Sequence, residues 1–286
     1  MEVLVEARQL SAVSPSGMLF TAVNAAVCSG DVAVISGPAG IGRTALLLAL
    51  SGRFSTSGGT LRASEGIQTD AAQLRRRITV AQALPAIRTE PTLRISEAIA
   101  ERCIIGGRKT VTVQTVWDAL AVMGSEPPPL KALVQDMGLV EQVLFGLALA
   151  RAQQADGICF DDVDGGLAQA DRQFVREAVR SLAAAGPALI VTSCDPGWGT
   201  IDIVLSSQPG QSAATAWSGT PLTPSMAPEP AEPKARADTA GPEPAESKTQ
   251  PHTADAGLAP EEGAEERCPD ADDEGETRQG TDGASG

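Results

Sequence analysis

The chain has 286 residues and a formal net charge of −14, and it contains no run of the roughly 18 apolar residues that would cross a bilayer. The charge is uneven, because residues 1–208 carry a net −3 and residues 209–286 carry −11. The N-terminus lacks a basic stretch followed by an apolar one, so we expect no signal peptide. The five cysteines show neither metal-binding spacing nor a disulfide framework, which indicates a reduced, cytoplasmic protein.

Strand and helix patterns alternate along the first 208 residues. Apolar, β-branched segments bounded by turn residues predict strands at 3–7, 18–27, 32–36, 60–64, 77–81, 157–162, 188–193 and 201–206. Helical spacing of apolar residues predicts helices at 43–51, 95–103, 113–123, 140–154 and 168–186. This order predicts an α/β domain over 1–208 with a helical insert at about 84–155.

The remaining segment, 209–286, consists mainly of Pro, Ala, Glu, Asp, Gly, Ser and Thr, and Leu258 is nearly its only large apolar residue beyond Met226. Such a composition cannot bury enough apolar surface to offset the entropy of ordering. We therefore predict a disordered acidic tail, which either keeps the protein soluble or binds or inhibits a partner.

A glycine-rich turn separates the strand at 32–36 from the helix at 43–51. Its sequence, GPAGIGRT at 37–44, fits the phosphate-loop pattern G-x-x-x-x-G-K-[ST], except that arginine stands in place of lysine. Glycines let backbone N–H groups converge on an anion, and the helix start adds its dipole. We expect nucleotide phosphates to be bound by Gly37, Pro38, Ala39, Gly40, Ile41, Gly42, Arg43 and Thr44, with the Thr44 hydroxyl also binding Mg²⁺. The alternative is a plain glycine-rich turn between a strand and a helix.

Strand, loop, helix and the SGG turn that follows resemble the nucleotide-binding domain of ATP-binding cassette (ABC) transporters. The resemblance covers about 1–208 and is strongest over 29–62. It implies a P-loop NTPase core of the ABC ATPase type with a helical subdomain, and ATP and Mg²⁺ as ligands. Members of that family pair head to tail and enclose two ATP molecules between the phosphate loop of one copy and the signature loop of the other.

The resemblance extends to two later motifs. Gln82 ends a stretch similar to the family's glutamine loop, which implies a contact with Mg²⁺ and water, although an exposed polar residue after a strand would look the same. The stretch GICFDD at 157–162 is similar to the second nucleotide motif, in which Asp161 would bind Mg²⁺ across a metal-sized gap from the loop. Asp162 stands where the family has a catalytic glutamate, one methylene shorter. Arg75, Arg76 and Arg77 are interpreted as a solvated strand edge rather than a nucleic-acid patch.

Several positions depart from the family pattern. LVEQV at 139–143 lacks the serine and both glycines of the LSGGQ signature, and Glu141 would bring negative charge toward phosphate. Ala168 replaces a dimer-contact aspartate, Cys194 replaces the switch histidine, and no aromatic residue at 10–17 is available to stack on adenine. Each departure weakens a different part of the site.

The resemblance implies an ATP-binding subunit of an ABC-type transporter with weak or impaired hydrolysis. A separately encoded membrane permease and a second ABC ATPase subunit, identical or different, would be its partners, and no nucleic acid is expected. The protein would be cytoplasmic or peripheral on the inner face of the cell membrane. The alternatives are a non-hydrolysing nucleotide-binding regulator and a scaffold that has lost nucleotide.

Overall fold

A computed structural model describes residues 2–15, 17–63, 70–106 and 110–206, together with the backbone of 213–215. The chain forms strands and helices in the order β1 (Val3–Ser14), β2 (Gly17–Cys28), β3 (Val32–Ser36), α1 (Arg43–Leu50), β4 (Gly58–Arg62), α2 (Ala71–Arg77), β5 (Ile78–Gln82), α3 (Ile95–Gly106), α4 (Val113–Val122), α5 (Leu139–Ala152), β6 (Gly157–Phe160), α6 (Gln169–Ala184), β7 (Ala188–Ser193), β8 (Ile201–Val204) and β9 (Ala213–Thr215). A short 3₁₀ helix at Val134–Asp136 precedes α5. The predicted disorder of 209–286 lies outside the described residues, apart from β9.

The central element is a six-stranded sheet with the order β5-β6-β7-β3-β8-β9, in which only the β8–β9 pair is antiparallel. Every residue of β3, β6 and β7 is buried, as expected for parallel strands that are covered on both faces. Successive residues of β3 contribute to two different cores, because side chains alternate between the faces of a strand. Val32 and Val34 pack with α3 to α6, whereas Ala33 and Ile35 pack with α1, β1 and β2.

A second sheet of three antiparallel strands, in the order β2-β1-β4, covers the face on which α1 lies. Its first two strands are 12 residues long, which is longer than the predicted 3–7 and 18–27. Bulges interrupt their pairing, and Gln9 and Ala22 adopt positive φ angles of 51° each. These irregularities break the alternating pattern on which the sequence prediction of strand length depends.

The helix α2 was not expected from the sequence, and the interpretation of Arg75, Arg76 and Arg77 as a strand edge is wrong. All three lie in the last turn of α2, where positive charge is favourable next to the negative end of the helix dipole. The Asp70 side chain caps the helix by accepting a hydrogen bond from Gln73 N at 2.7 Å. Only Leu74 of this seven-residue helix is buried, so the sequence offers no apolar periodicity.

Along the chain, the three helices α3, α4 and α5 follow β5 and precede β6, where the sequence predicts a helical insert. The sheet also continues past residue 208, because β9 pairs with β8 through Asp202, Ile203 and Val204. Within the described ranges, no helix combines the length and the apolar composition that a bilayer crossing needs.

The core beneath α5 provides a test of the packing. Phe145 is 1% exposed, so Phe145→Ala should lower the free energy of unfolding by about 3–5 kcal/mol through the cavity that it leaves. Phe174 is 41% exposed, and Phe174→Ala should cost less than about 1 kcal/mol. Chemical denaturation of both variants measures the difference; similar losses would contradict the burial described here.

Candidate functional site

Four strands of the large sheet end at one edge, and at the end of each lies a residue that the sequence analysis assigns to the site. The loop 37–42 follows β3, Gln82 ends β5, Asp161 and Asp162 follow β6, and Cys194 follows β7. In open α/β sheets, ligands bind outside the carboxyl ends of the strands. The fold therefore gathers the expected site residues at the edge where sheets of this kind bind ligands.

The glycines of the loop are required by their backbone conformation. Gly37, Gly40 and Gly42 have φ angles of 146°, 79° and 99°, which residues with a side chain rarely adopt. A Cβ atom on Gly42 would lie 2.5 Å from Leu19 O of β2, and one on Gly37 would lie 2.8 Å from Leu205 O. Gly40 instead faces open space, and with Pro38 and Ala39 it forms the exposed crest of the loop.

The start of α1 presents backbone donors to the site. The Leu46 amide donates to Gly42 O at 2.9 Å, and no side chain caps the helix N-terminus. The amides of Arg43, Thr44 and Ala45 precede that bond, so they have no acceptor within the helix. Donors of this kind, at the positive end of a helix dipole, form an anion-binding site.

A chain of hydroxyl and carboxylate groups connects this helix to the two neighbouring strand ends. The Thr44 hydroxyl donates to Asp161 Oδ2 at 2.9 Å, and the Thr192 hydroxyl donates to Asp161 Oδ1 at 2.6 Å. Asp161 and Thr192 are both buried. Each carboxylate oxygen of Asp161 thus has a hydrogen-bond donor, as a buried charge requires.

Gln82 lies beside the main chain of Asp161. Its amide nitrogen donates to the main-chain oxygen of Asp161 at 3.1 Å, and the Asp161 amide donates to Gln82 O at 3.0 Å. These two bonds fix the end of β5 to the end of β6. The amide oxygen of Gln82 is the atom suited to bind a metal ion.

Asp162 occupies a strained position in the turn after β6. Its φ angle is 54°, its amide donates to Thr192 Oγ1 at 2.7 Å, and its carboxylate packs against Gly165 so closely that a side chain on Gly165 would overlap it. Burial raises the pKa of the Asp162 carboxyl above its usual value, the Arg43 guanidinium opposes this rise, and Asp164 and Asp161 add to it.

Arg43 does not pair with a carboxylate within the part of the chain that the structure describes. Its Nη1 atom donates to Cys194 Sγ at 3.3 Å, across the gap between α1 and the end of β7. The residue in place of the loop lysine thereby meets the residue in place of the switch histidine. The sequence points to both positions and gives no indication that they are in contact.

The sequence analysis missed the part played by Thr192 and Ser193. Ser193 Oγ donates a hydrogen bond to Asp164 Oδ2 at 2.6 Å and accepts one from the Asp195 amide at 2.9 Å. Thr192 and Ser193 are both buried at the end of an otherwise apolar strand. Adjacent hydroxyl residues in that place were the available signal, because buried polar groups need partners.

Two further positions have structural roles at helix starts. The Glu141 carboxylate accepts the Gly138 amide at 2.8 Å and so caps α5, with Leu144, Phe145 and Leu147 of this helix buried in the core. Ala168 is the N-cap residue of α6 and provides no side-chain hydrogen bond there. The signature-like stretch 139–143 therefore forms the capped, partly exposed start of a helix whose later residues pack in the core.

The oxygen atoms at this edge fit a magnesium ion that arrives with a phosphate ligand. Mg²⁺ is usually held by one or two carboxylates together with substrate phosphates. The Thr44 hydroxyl, the Asp161 carboxylate and the Gln82 amide are suitable groups, whereas no cluster of three or more His, Cys, Asp or Glu in the described ranges would hold a metal alone. The expected metal-sized gap is closed by the Thr44–Asp161 hydrogen bond, in which the Thr44 oxygen keeps lone pairs that could bind a metal ion.

The raised pKa of Asp162 predicts a pH-dependent effect of Asp162→Asn. The folded chain holds this proton more tightly than the unfolded chain, so ionisation of Asp162 destabilises the fold as the pH rises above its ordinary value of 3.8. We expect Asp162→Asn to be more stable than the wild type near neutral pH, with the advantage vanishing near pH 3. Urea unfolding of both proteins across this pH range measures the difference in the free energy of unfolding, and Asp136→Asn, a change at an exposed aspartate, is the control. A difference that does not change with pH would contradict the raised pKa of Asp162.

Comparison with known proteins agrees with this architecture. The ADP conformation of MJ1267, an ATP-binding cassette of an ABC transporter, has 16% identity and a TM-score of 0.58, over 72% of this chain and 88% of that one. The MJ0796 cassette, solved as a dimer with ADP and Pi, has 17% identity and a TM-score of 0.58, over 71% and 94%. The cbiO1 protein from Clostridium perfringens, part of the transporter complex cbiONQ, has 16% identity and a TM-score of 0.57, over 72% and 86%. At these identities the likeness establishes the fold, and it confirms the predicted α/β cassette.

Family membership rests on the sequence itself. No curated protein matches the chain. The family model described as ABC transporter matches residues 20–164, which is about half of the chain and includes the phosphate loop, Gln82, Asp161 and Asp162. The chain therefore belongs to the ABC transporter family, as an ATP-binding cassette with a P-loop fold.

Proposed function

We propose that the chain is the ATP-binding subunit of an ABC-type transport system, and that it binds Mg-ATP at the loop 37–44 with impaired hydrolysis. The observation that carries this proposal is the 2.9 Å bond between Thr44 and Asp161. This bond connects the first turn of α1, whose amides have no acceptor within the helix, to a buried carboxylate. Groups suited to bind phosphate and groups suited to bind Mg²⁺ are therefore neighbours.

Each group has a separate task in this proposal. The amides of the glycine loop and the first turn of α1 bind and orient the phosphates. Thr44, Asp161 and Gln82 would hold Mg²⁺, which neutralises phosphate charge when it is bound. Asp162 is the candidate base that orients the attacking water and accepts its proton.

Two features support impaired hydrolysis. The carboxylate of Asp162 packs against Gly165, and the aspartate is one methylene shorter than a glutamate, whereas a general base must approach its water to hydrogen-bond distance. At the end of β7, Cys194 supplies a thiol, which is a weak hydrogen-bond donor and acceptor. These features also suit the second candidate function, a nucleotide-binding regulator or scaffold that does not hydrolyse ATP.

A partner cassette belongs to the proposal. Because α5 starts as a capped helix rather than a glycine-rich loop, this chain offers little to the phosphate of an opposing copy. A heterodimer with a subunit that has its own glycine-rich signature would complete the site of this chain, whereas a homodimer would leave both sites deficient. The proposed location is the cytoplasm, at the inner face of the cell membrane when the chain is assembled.

Calorimetry on the full chain tests nucleotide binding. We expect Mg-ATP to bind with a dissociation constant in the micromolar range or weaker. Gly42→Ala should abolish measurable binding because its Cβ would displace β2, whereas Gly40→Ala, at a positive φ but in open space, should weaken binding by less than about tenfold. Absence of heat with the wild type would refute the proposal, and equal effects of the two variants would refute the role of the loop geometry.

Phosphate release in the same samples separates the two candidate functions. Slow turnover that falls further on Asp161→Asn supports an ATPase. Binding without release supports the regulator. Circular dichroism checks that Gly42→Ala and Gly40→Ala keep the secondary structure of the wild type.

A second surface supports the proposed membrane partner. A groove of about 740 Å³ between α2, β5 and α3 is lined by five arginines and one carboxylate, with apolar side chains among them: Arg53, Arg75, Arg76, Arg88, Arg102, Glu101, Val80, Ile87 and Ile105. Arg53 donates to Ser51 O and Ile78 O, Arg75 to Gly52 O, and Arg102 to Val80 O. Burial lowers the pKa of Arg53 and of Arg102, which indicates guanidinium groups held away from water with carbonyl partners.

We infer that a segment of the permease carrying carboxylates and apolar residues occupies this groove, by charge complementarity. The neighbouring Ile104 and Ile105 are 80% and 69% exposed and would extend the apolar contact.

Charge reversal tests this assignment in the native host. Arg75→Glu with Arg88→Glu should reduce the share of the chain that sediments with membranes roughly tenfold, because like charges would then face each other. Arg94→Glu, an exposed arginine outside the groove, is the matched control. Unchanged sedimentation of the double variant would exclude the groove as the contact.

A further inference from the structure

The loop 194–200 joins β7 to β8 and begins at the candidate site. Its first residue, Cys194, contacts Arg43 at the start of α1, with Sγ 3.3 Å from Nη1. Its last residue, Thr200, donates its amide to the main-chain oxygen of Val32 at 2.9 Å. Because Val32 is the first residue of β3, the loop runs from the site back to the opposite end of that strand.

Three arginines of α6 contact this loop. Arg172, Arg176 and Arg180 are spaced four residues apart, so they lie in a row along one face of the helix. Arg172 pairs with Asp195 at 3.2 Å. The Arg176 guanidinium lies over the ring of Trp198, 5.2 Å from its centre, and Arg180 Nη2 donates to Trp198 O at 3.0 Å. We call these three residues the arginine row.

Trp198 fixes the middle of the loop in the core. Its side chain is 1% exposed and belongs to the buried cluster that also contains Val34 of β3 and Val179 of α6. The electron-rich face of a tryptophan ring attracts a guanidinium placed over it. The contact with Arg176 therefore ties α6 to the loop through a side chain that is itself packed on both sides.

Stability alone does not account for an arginine at position 176. Its Nε atom is buried and has no hydrogen-bond acceptor among the residues that the structure describes, and the same holds for Trp198 Nε1. A buried donor without an acceptor lowers the stability of a fold, whereas a hydrocarbon side chain of similar length would pack there without that penalty. What a hydrocarbon cannot supply is the attraction of a cation to the ring.

We propose that Arg176 and Trp198 are positioning residues, which hold the loop 194–200 against α6 and thereby hold Cys194 at the candidate site. The end of β7 belongs to the same arrangement, because Thr192 bonds Asp161 two residues before the loop begins. A segment that is already ordered costs less free energy to organise when a ligand binds. The consequence for nucleotide binding rests on the proposed function, whereas the hold on the loop does not.

Hydrogen exchange of the full chain, followed by NMR, tests the hold on the loop without nucleotide. Arg176→Met removes the cation and keeps a side chain of similar length, whereas Arg176→Lys keeps a cation near the ring. We expect the amides of Asp195 and Gly197, both bonded to side chains, to exchange about fivefold faster or more in Arg176→Met. Arg176→Lys should change their exchange less than about twofold. Exchange within β7 should not change, whereas a general loss of stability would raise it there as well.

Calorimetry with Mg-ATP on the same variants tests the effect on the site. Arg176→Met should weaken binding about threefold or more, and Arg176→Lys should restore it, because the loop is then ordered before the ligand binds. Arg180→Met, which removes the bond to Trp198 O at an exposed residue of the row, should act in the same direction. Arg151→Met, the same change in the last turn of α5, is the control and should alter neither binding nor exchange in the loop.

The outcomes separate this inference from the proposed function. Equal exchange in the loop of the wild type, Arg176→Met and Arg180→Met overturns the hold on the loop, and so does a rise that is the same in β7. Faster exchange in the loop with unchanged binding overturns the effect on the site and leaves the proposed function intact. If the wild type binds no nucleotide, the proposed function fails, and the exchange experiment still decides whether Arg176 holds the loop.

Discussion

The carboxylate of Asp161 holds the site together. It accepts one hydrogen bond from Thr44 at the start of α1 and another from Thr192 at the end of β7, while its own main chain exchanges two bonds with Gln82. Four separate elements are joined through one buried residue. Because a buried charge without partners is costly, the same bonds that position the site also stabilise the edge of the sheet.

Around Asp161, the molecule has the loop and helix that we propose bind phosphates, and it departs from the family pattern at the side chains that we propose act on them. The glycine loop, α1 and the buried aspartate meet at one edge of the large sheet. Arginine, a shorter acid and a thiol stand at Arg43, Asp162 and Cys194. Since the altered side chains contact one another or the same strand ends, the site is a connected variant of the family pattern rather than a set of unrelated losses.

Much of the fold was predictable, because buried parallel strands and amphipathic helices leave clear patterns in the sequence. The phosphate loop was predictable for the same reason, since glycines with a fixed spacing between a strand and a helix reflect backbone geometry. The helix α2 was not, because its stability comes from the Asp70 cap and its basic last turn rather than from an apolar face. The contacts of Thr192 and of Arg43 join residues distant in sequence, and no local pattern encodes them.

The close approach of Gly42 to Leu19 has a consequence for how such motifs are understood. A side chain at position 42 would push β2 away from α1, so folding alone demands glycine there, whether or not a nucleotide ever binds. Gly37, against Leu205, is constrained in the same way. Evolutionary drift could therefore erase the chemistry of the cassette and still leave these two glycines untouched. The positions that report on a retained ligand are the ones that packing leaves unconstrained, such as Gly40, which faces open space.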